Sequence, residues 1–201
     1  MLESADVTPL DGRVARSHRT RAAIVDALIS LLEEGNVQPT VEEVAARAGV
    51  APRTVFQHYA DREALFAAVS ERRQARLEAL MGAIDHGAPL PERIVALAHQ
   101  RARIYEWIAP VRRAALLMEP FSASVHAALD GFRTVKRAEV RRVFATELAA
   151  VPAAERAPVE AALCAAASYS AWEALRSHQG LDVEAARAAL ECSLRALLAA
   201  R

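Results

Sequence analysis

Apolar residues along this chain recur every three or four positions, and nowhere does a strand-like alternation persist between turn residues. Glycine and proline fall mostly between these stretches. The pattern predicts an all-α fold. Thr20 to Glu34 carries Ile24, Leu28 and Leu31 on one stripe, with Val25 and Leu32 beside it, and Gly35 ends that helix. Thr40 to Ala48 predicts a short helix stopped by Gly49. Pro52 to Tyr59 predicts a second, with proline in the first turn, where its missing N–H costs nothing. Asp61 is placed to cap a longer helix reaching about Met81. Gly82 to Pro91, with two glycines and two prolines, predicts a linker and internal boundary. Beyond it the pattern predicts a helix over Glu92 to Ile108 closed by Pro110, a shorter one over Val111 to Met118, and a long one over Ser122 to Ala150 bent near Gly131. Val151 to Pro158 reads as a turn region, with Pro158 also able to sit in the first turn of the next helix. Val159 to His178 and Asp182 to Ala200 complete the row, separated by Gly180.

Composition narrows the class. The chain is 53% hydrophobic and 25% charged, which is globular rather than disordered. Basic and acidic side chains balance at 25 each, so any nucleic-acid contact must come from a local cluster of charge and not from a global field. Met1 to Gly12 is acidic and polar without an apolar core, so no signal peptide is expected. No uncharged apolar run approaches the roughly 18 residues of a membrane span. The expectation is a cytoplasmic protein with no membrane partner. Cys164 and Cys192 lie far apart in alanine-rich stretches and read as two buried reduced thiols, a disulfide being the alternative. No His-Glu-x-x-His, Gly-x-Ser-x-Gly, Cys-x-x-Cys or glycine-rich phosphate loop occurs, and the six histidines are scattered. Neither an enzyme, nor a metal site, nor a cofactor is expected.

The informative stretch is Thr40 to Leu65. Thr40-Val41-Glu42-Glu43 is a capping box, in which the threonine hydroxyl and the glutamate three residues on satisfy each other's orphan backbone N–H groups. Val44 and Ala45 point inward, Ala45 and Ala48 let a second helix cross closely, and Gly49 supplies a left-handed turn. In the second short helix Val55 is the buried position, with Tyr59 one turn later on a similar side. At about 100° per residue Arg53 and Gln57 face directly away from Val55, flanked by Thr54 and Phe56. Arginine, threonine and glutamine on an outward face can reach phosphates and major-groove base edges. Two short helices, a tight turn and a polar second helix make a helix-turn-helix over residues 41–60; the alternative is a helical hairpin with a solvated face.

The same residues resemble the DNA-binding segment of the TetR family of bacterial regulators. That family's pattern runs Gly-Val-Ser, two variable residues, Thr-Leu-Tyr, one variable residue, His-Phe, and then Lys-Glu-x-Leu. Here it stands as Gly49-Val50-Ala51, Pro52-Arg53, Thr54-Val55-Phe56, Gln57, His58-Tyr59, and, after Ala60-Asp61, Arg62-Glu63-Ala64-Leu65. The departures are Ala51 for serine, Phe56 for tyrosine, Tyr59 for phenylalanine and Arg62 for lysine. The first two remove hydroxyls that could contact the DNA backbone, Tyr59 restores one nearby, and Arg62 can still pair with a phosphate. The resemblance implies base-edge roles for Arg53, Thr54 and Gln57, phosphate roles for Thr40, His58 and Arg62, and packing of Phe56 on a sugar or thymine methyl. It implies a flexible arm over 1–16, a DNA-binding domain over 17–63, and a ligand-binding and dimerisation domain over 64–201. Arg13, Arg16, His18, Arg19 and Arg21 enter the first helix and either follow DNA or are merely solvated.

The second half carries no sharp motif. Tyr105, Trp107, Met118, Phe121, Phe132, Tyr169 and Trp172, along with Phe144, are the large side chains that could line an apolar pocket or simply fill the core. Arg112-Arg113 could meet an acidic ligand or be a solvated pair. The resemblance implies that the last two helices of two protomers pack into a four-helix bundle. The function implied is a dimeric regulator, a repressor, binding palindromic double-stranded operator DNA and released by a small hydrophobic effector. The alternative is an architectural or protein-partnered DNA-binding protein on the same fold, without small-molecule sensing.

Overall fold

A computed structural model describes residues 9–199, and the side chains of 12–199. All regular structure among the described residues is helical: α1 (Pro9–Glu33), α2 (Val41–Ala48), α3 (Pro52–His58), α4 (Arg62–Met81), α5 (Leu90–Met118), α6 (Ala123–Val143), α7 (Ala145–Ala150), α8 (Ala153–Ala166), α9 (Tyr169–Glu173) and α10 (Val183–Ala199), with a 3-10 turn over Glu119–Phe121 and a π-helical turn over Ala174–His178. The chain divides into two compact units. One takes the residues up to Gln74 together with Pro110–Ser122; the other takes Ala75–Ala109 and everything from Ala123 on. This division falls later than the expected boundary at residue 64, and it returns the end of α5 to the first unit. Of the arm expected over 1–16, residues 1–8 lie outside the described residues, while residues 9–16 are helical, the opening turns of α1.

The first unit is built on the stripe read from the sequence. Ile24, Val25, Leu28 and Leu32 of α1 are buried with Val44 and Ala45 of α2, Val55 of α3, and Leu65, Phe66 and Val69 of α4. Local chemistry sets its turns. Thr40 Oγ1 accepts from the Glu43 amide at 3.2 Å, and the Glu43 carboxylate accepts from the Thr40 amide at 2.7 Å. Gly49 closes α2 at φ +69°, a conformation a Cβ would strain, and its N–H reaches back to the carbonyls of Ala45 and Ala46. Asp61 caps α4 by accepting from the Ala64 amide at 2.7 Å.

Beyond α4 the chain departs from the sequence reading at several joints, each for a nonlocal reason. Pro110 does not close a helix; α5 runs through it to Met118. A proline already has the helical φ, and burial of Tyr105 and Ala109 before it and of Ala114 and Ala115 after it offsets one missing hydrogen bond. The helix expected over Ser122 to Ala150 passes Gly131 unbroken and breaks instead at Phe144. There the ring is fully buried, and the Val143 carbonyl at the break accepts from Arg93, whose guanidinium also grips Glu147 at 2.9 and 2.5 Å. The helix expected from Val159 begins at Ala153, so Pro158 lies beyond the first turn, and it ends at Ala167. The Ala167 carbonyl accepts from the Tyr105 hydroxyl at 2.6 Å, and Ser168 caps the next helix at the Ala171 amide. Cys192 is exposed and Cys164 half-buried, both free thiols, which corrects the expectation of two buried cysteines.

Candidate nucleic-acid interface

Helix α3 is seven residues long and starts on Pro52, with no side-chain cap. Only Val55 along its length is buried, and this anchor fixes which face turns outward. That face carries Arg53, Phe56 and Gln57, all exposed, with Thr54 and His58 half-buried at its sides. Phe56 is 58% exposed, an unusual state for a phenylalanine on a helix with a hydrophobic core next to it. Thr40 is exposed at the head of α2, but its hydroxyl already serves the capping box. Arg62, also exposed, lies with its guanidinium 5.7 Å from the Phe66 ring centre.

The expectation for Tyr59 is corrected. Only 4% of it is exposed, and its hydroxyl donates inward to the Arg21 carbonyl at 3.2 Å while the Arg21 guanidinium covers its ring at 4.9 Å. The side chain that the spacing put near Val55 stays with Val55, so its hydroxyl does not stand in for those absent at Ala51 and Phe56. A shallow cavity of about 230 Å³ opens among Thr40, Val41, Val55, Phe56, Tyr59 and Arg62, so Phe56 roofs an apolar hollow rather than standing free.

The seven aromatic and methionine candidates of the second half do not form one pocket. Tyr105, Tyr169 and Trp172 come together, with Tyr105 edge-on to Tyr169 at 5.6 Å and 6.4 Å from Trp172. All three are buried and their polar atoms are engaged: Tyr105 with Ala167, Tyr169 with Glu173 at 2.8 Å, and Trp172 with Glu106 at 2.8 Å. Glu106 also holds Arg176 of the π-helical turn at 2.8 and 3.1 Å. Met118 and Phe121 belong instead to the first unit, where they line a depression of about 380 Å³ with Gln38, Arg62 and Leu117. Phe121 is 89% exposed there. Phe132 is half-buried beside the Lys136 ammonium at 5.8 Å, and Trp107 is half-buried on α5. Arg112 is buried and Arg113 exposed, so the two are not a solvated pair.

Sequence reading missed a buried ionic cluster in the second unit. Arg101 is fully buried and donates to Glu139 at 2.6 Å and to Gln100 at 2.8 Å; Gln100 and Lys136 also donate to Glu139, at 2.7 and 2.9 Å. Burial raises the Glu139 carboxyl, but the charge of Arg101 and the hydrogen bonds from Arg101 and Gln100 outweigh it and hold the group below the usual carboxylate range. Burial and the neighbouring Arg101 charge push the Lys136 ammonium down. The available signal was Lys136, the sole lysine among 25 basic residues, together with Glu139 three residues on, on a helix face shared with Leu129, Val140 and Val143.

Among the described residues no three His, Cys, Asp or Glu groups converge as a metal site would need, and no helix is long and apolar enough to cross a membrane. Residues 24–69, from Ile24 of α1 to Val69 of α4, match the model of the bacterial regulatory proteins, tetR family. No curated protein matches the chain. Among solved structures the fold is similar to a transcriptional regulator from Rhodococcus sp. Rha1, at 21% identity and a TM-score of 0.64 over 92% of this chain and 96% of that one. It is also similar to a TetR-like transcriptional regulator from Rhodococcus sp. RHA1, at 19% identity and 0.58 over 92% and 97%. At such identities the likeness is one of fold. The capped, glycine-turned helix pair of α2 and α3 lies inside the segment that matches the tetR family of bacterial regulatory proteins.

Proposed function

We propose that the chain binds a near-palindromic operator as a homodimer, through the outer face of α3, and represses transcription until a small apolar effector releases it. The observation that carries this reading is the state of Arg53, Phe56 and Gln57. All three are exposed on one short helix whose opposite side is locked by Val55, and no hydrogen bond or ion pair to another described residue commits their side chains. Arg53 and Gln57 suit base edges, and Phe56 suits a thymine methyl or a sugar. Thr54 joins them at the base edges, and Thr40, His58 and Arg62 flank them as phosphate ligands.

The dimer is supported by small residues left outward on the last long helices: Ala157, Ala161 and Ala165 on α8, and Ala188, Cys192 and Ala196 on α10. Such positions permit close helix packing across a two-fold axis. Two α3 helices could then meet successive major grooves about 34–36 Å apart. The effector is supported by the aromatic group of Tyr105, Tyr169 and Trp172 beside the π-helical turn, since π-turns recur at functional sites.

The test is selection of duplexes from a randomised pool, followed by mobility shift. Enrichment of an inverted repeat with half-sites one helical turn apart is the expected result; no enrichment over bulk duplex refutes the reading. Cys192 should react with a maleimide more slowly as protein concentration rises. A thermal-shift screen with hydrophobic compounds tests the effector, because a ligand bound only by the folded state stabilises it. DNA selection without any stabilising compound would favour the regulator that lacks sensing.

A further inference from the structure

The first unit settles its charges selectively. Arg47 is held by Glu34 through two bonds of 2.7 Å, Arg72 by Asp26 at 3.1 and 3.2 Å, and Arg73 by Glu33 at 3.0 Å. Every one of these acids lies at or beyond residue 26. From Gly12 to Val25 the chain holds Arg13, Arg16, His18, Arg19 and Arg21 and no acidic residue. Arg13, Arg16 and Arg19 form no ion pair or hydrogen bond through their side chains to any described residue, and all residues from Gly12 to Arg19 are exposed.

This stretch is helix, continuous with the part of α1 that packs in the core. Steps of three residues turn by about 60° short of a full circle, so the three arginines cover about 120° of the helix surface. Arg21, at the root of the stretch, covers the ring of Tyr59, and Tyr59 is the residue that ends α3. The cationic turns therefore project from the point where α3 stops. From Arg21 back to Arg13 the axis extends about 12 Å. The stretch also lies outside the segment that matches the family model, which begins at residue 24.

We infer that Arg13, Arg16 and Arg19 form a second duplex-binding element, a helical strut that grips the sugar-phosphate backbone flanking the base pairs contacted by α3. The inference rests on the proposed DNA-binding reading and adds to it an element that reads no bases. An extended arm would thread a minor groove; a regular helix about 10 Å across cannot enter one and must lie on the phosphates. Its reach of about 12 Å corresponds to three or four base pairs at about 3.4 Å per phosphate along a strand.

The test compares the wild-type full chain with the R13Q/R16Q/R19Q variant, in which glutamine keeps helix propensity and circular dichroism confirms the helix content. The probes are a random-sequence 40-base-pair duplex and the site selected by the wild-type protein, the latter made in two lengths, with and without four flanking base pairs on each side. The variant should bind the random duplex at least tenfold more weakly at low salt, and its log–log salt slope should shrink by about 0.9 for each arginine that neutralises a phosphate. On the selected site it should keep the wild-type base preference, and removing the flanks should weaken wild type but not the variant. Unchanged affinity, slope and flank dependence would overturn the strut while leaving the α3 reading intact. A wild-type protein that binds neither probe would overturn both, and in that case R53A would also be without effect.

Discussion

The two units differ in how deeply they bury their paired cations. In the second unit several cations are drawn inward and neutralised: Arg93 on Glu147, Arg176 on Glu106, Arg187 on Glu184 and Glu191, and Arg101 with Lys136 on the buried Glu139, while Arg76, Arg103 and Arg142 stay exposed. In the first unit Arg47, Arg72 and Arg73 are paired along the body of the helices, while Arg13, Arg16, Arg19 and Arg53 stand in solvent with no carboxylate partner among the described residues. A net charge of zero hides this difference. It teaches that the buried charges of the second unit serve architecture, where desolvation makes a missing partner expensive, whereas the exposed cations clustered on α1 and α3 of the first unit are available to a polyanion.

The largest expected effect comes from breaking the architectural side. Glu139→Gln leaves Arg101 and Lys136 buried without their counter-charge, and truncating one partner of a buried pair costs about 3–5 kcal/mol. Denaturant unfolding should show that loss, and a change under about 1 kcal/mol would mean the cluster is more hydrated than its burial implies. Lys136→Met relieves the excess cation and should be neutral or stabilising. The pH dependence has a definite sign. Because the folded Glu139 titrates below its unfolded value, it contributes stability above about pH 4.3 that is lost as pH falls through the folded pKa. Because the folded Lys136 also titrates below its unfolded value, stability rises as pH climbs from the folded pKa toward about 10.4. Glu139→Gln should remove its acid-side loss.

Arg53→Ala reverses the expectation. Its side chain is exposed and makes no internal bond among the described residues, so stability should stay within about 0.5 kcal/mol of wild type. Discrimination between the selected site and a site altered at one base pair should fall by about 1–3 kcal/mol. Arg62→Ala, by contrast, should weaken all duplexes together. Equal losses for Arg53→Ala on selected and random DNA would remove its base-reading role and with it the functional half of the comparison.

The parts legible in the sequence were those set by neighbours along the chain. The Thr40–Glu43 box, Gly49, Asp61 and the Ile24–Leu32 stripe each need only a few adjacent residues, and each appears where the pattern put it. The breaks at Phe144 and Ala167 were not legible, because the carbonyls there are met by Arg93 and Tyr105, 50 and 62 residues away. Ser168 was a readable cap inside an alanine-rich run, and helical periodicity on both sides concealed it. Pro110 misled for the opposite reason: a local breaker was overruled by burial on either side. The site showed the same limit. The angular position of Arg53 and Gln57 against Val55 follows from about 100° per residue, whereas the inward turn of the Tyr59 hydroxyl depends on Arg21, 38 residues earlier.

Tyr59 also supplies the smallest and most discriminating test. Tyr59→Phe keeps the ring under Arg21 and removes only the hydroxyl that donates to the Arg21 carbonyl. A neutral hydrogen bond of this kind contributes about 0.5–1.5 kcal/mol, and stability should fall by that amount. If the residue is purely architectural, affinity for the selected duplex and its salt slope should not move. If Tyr59→Phe instead weakens DNA binding at unchanged stability, the hydroxyl turns outward in the complex, and the root of α1 then joins the phosphate-binding surface instead of merely holding it in place.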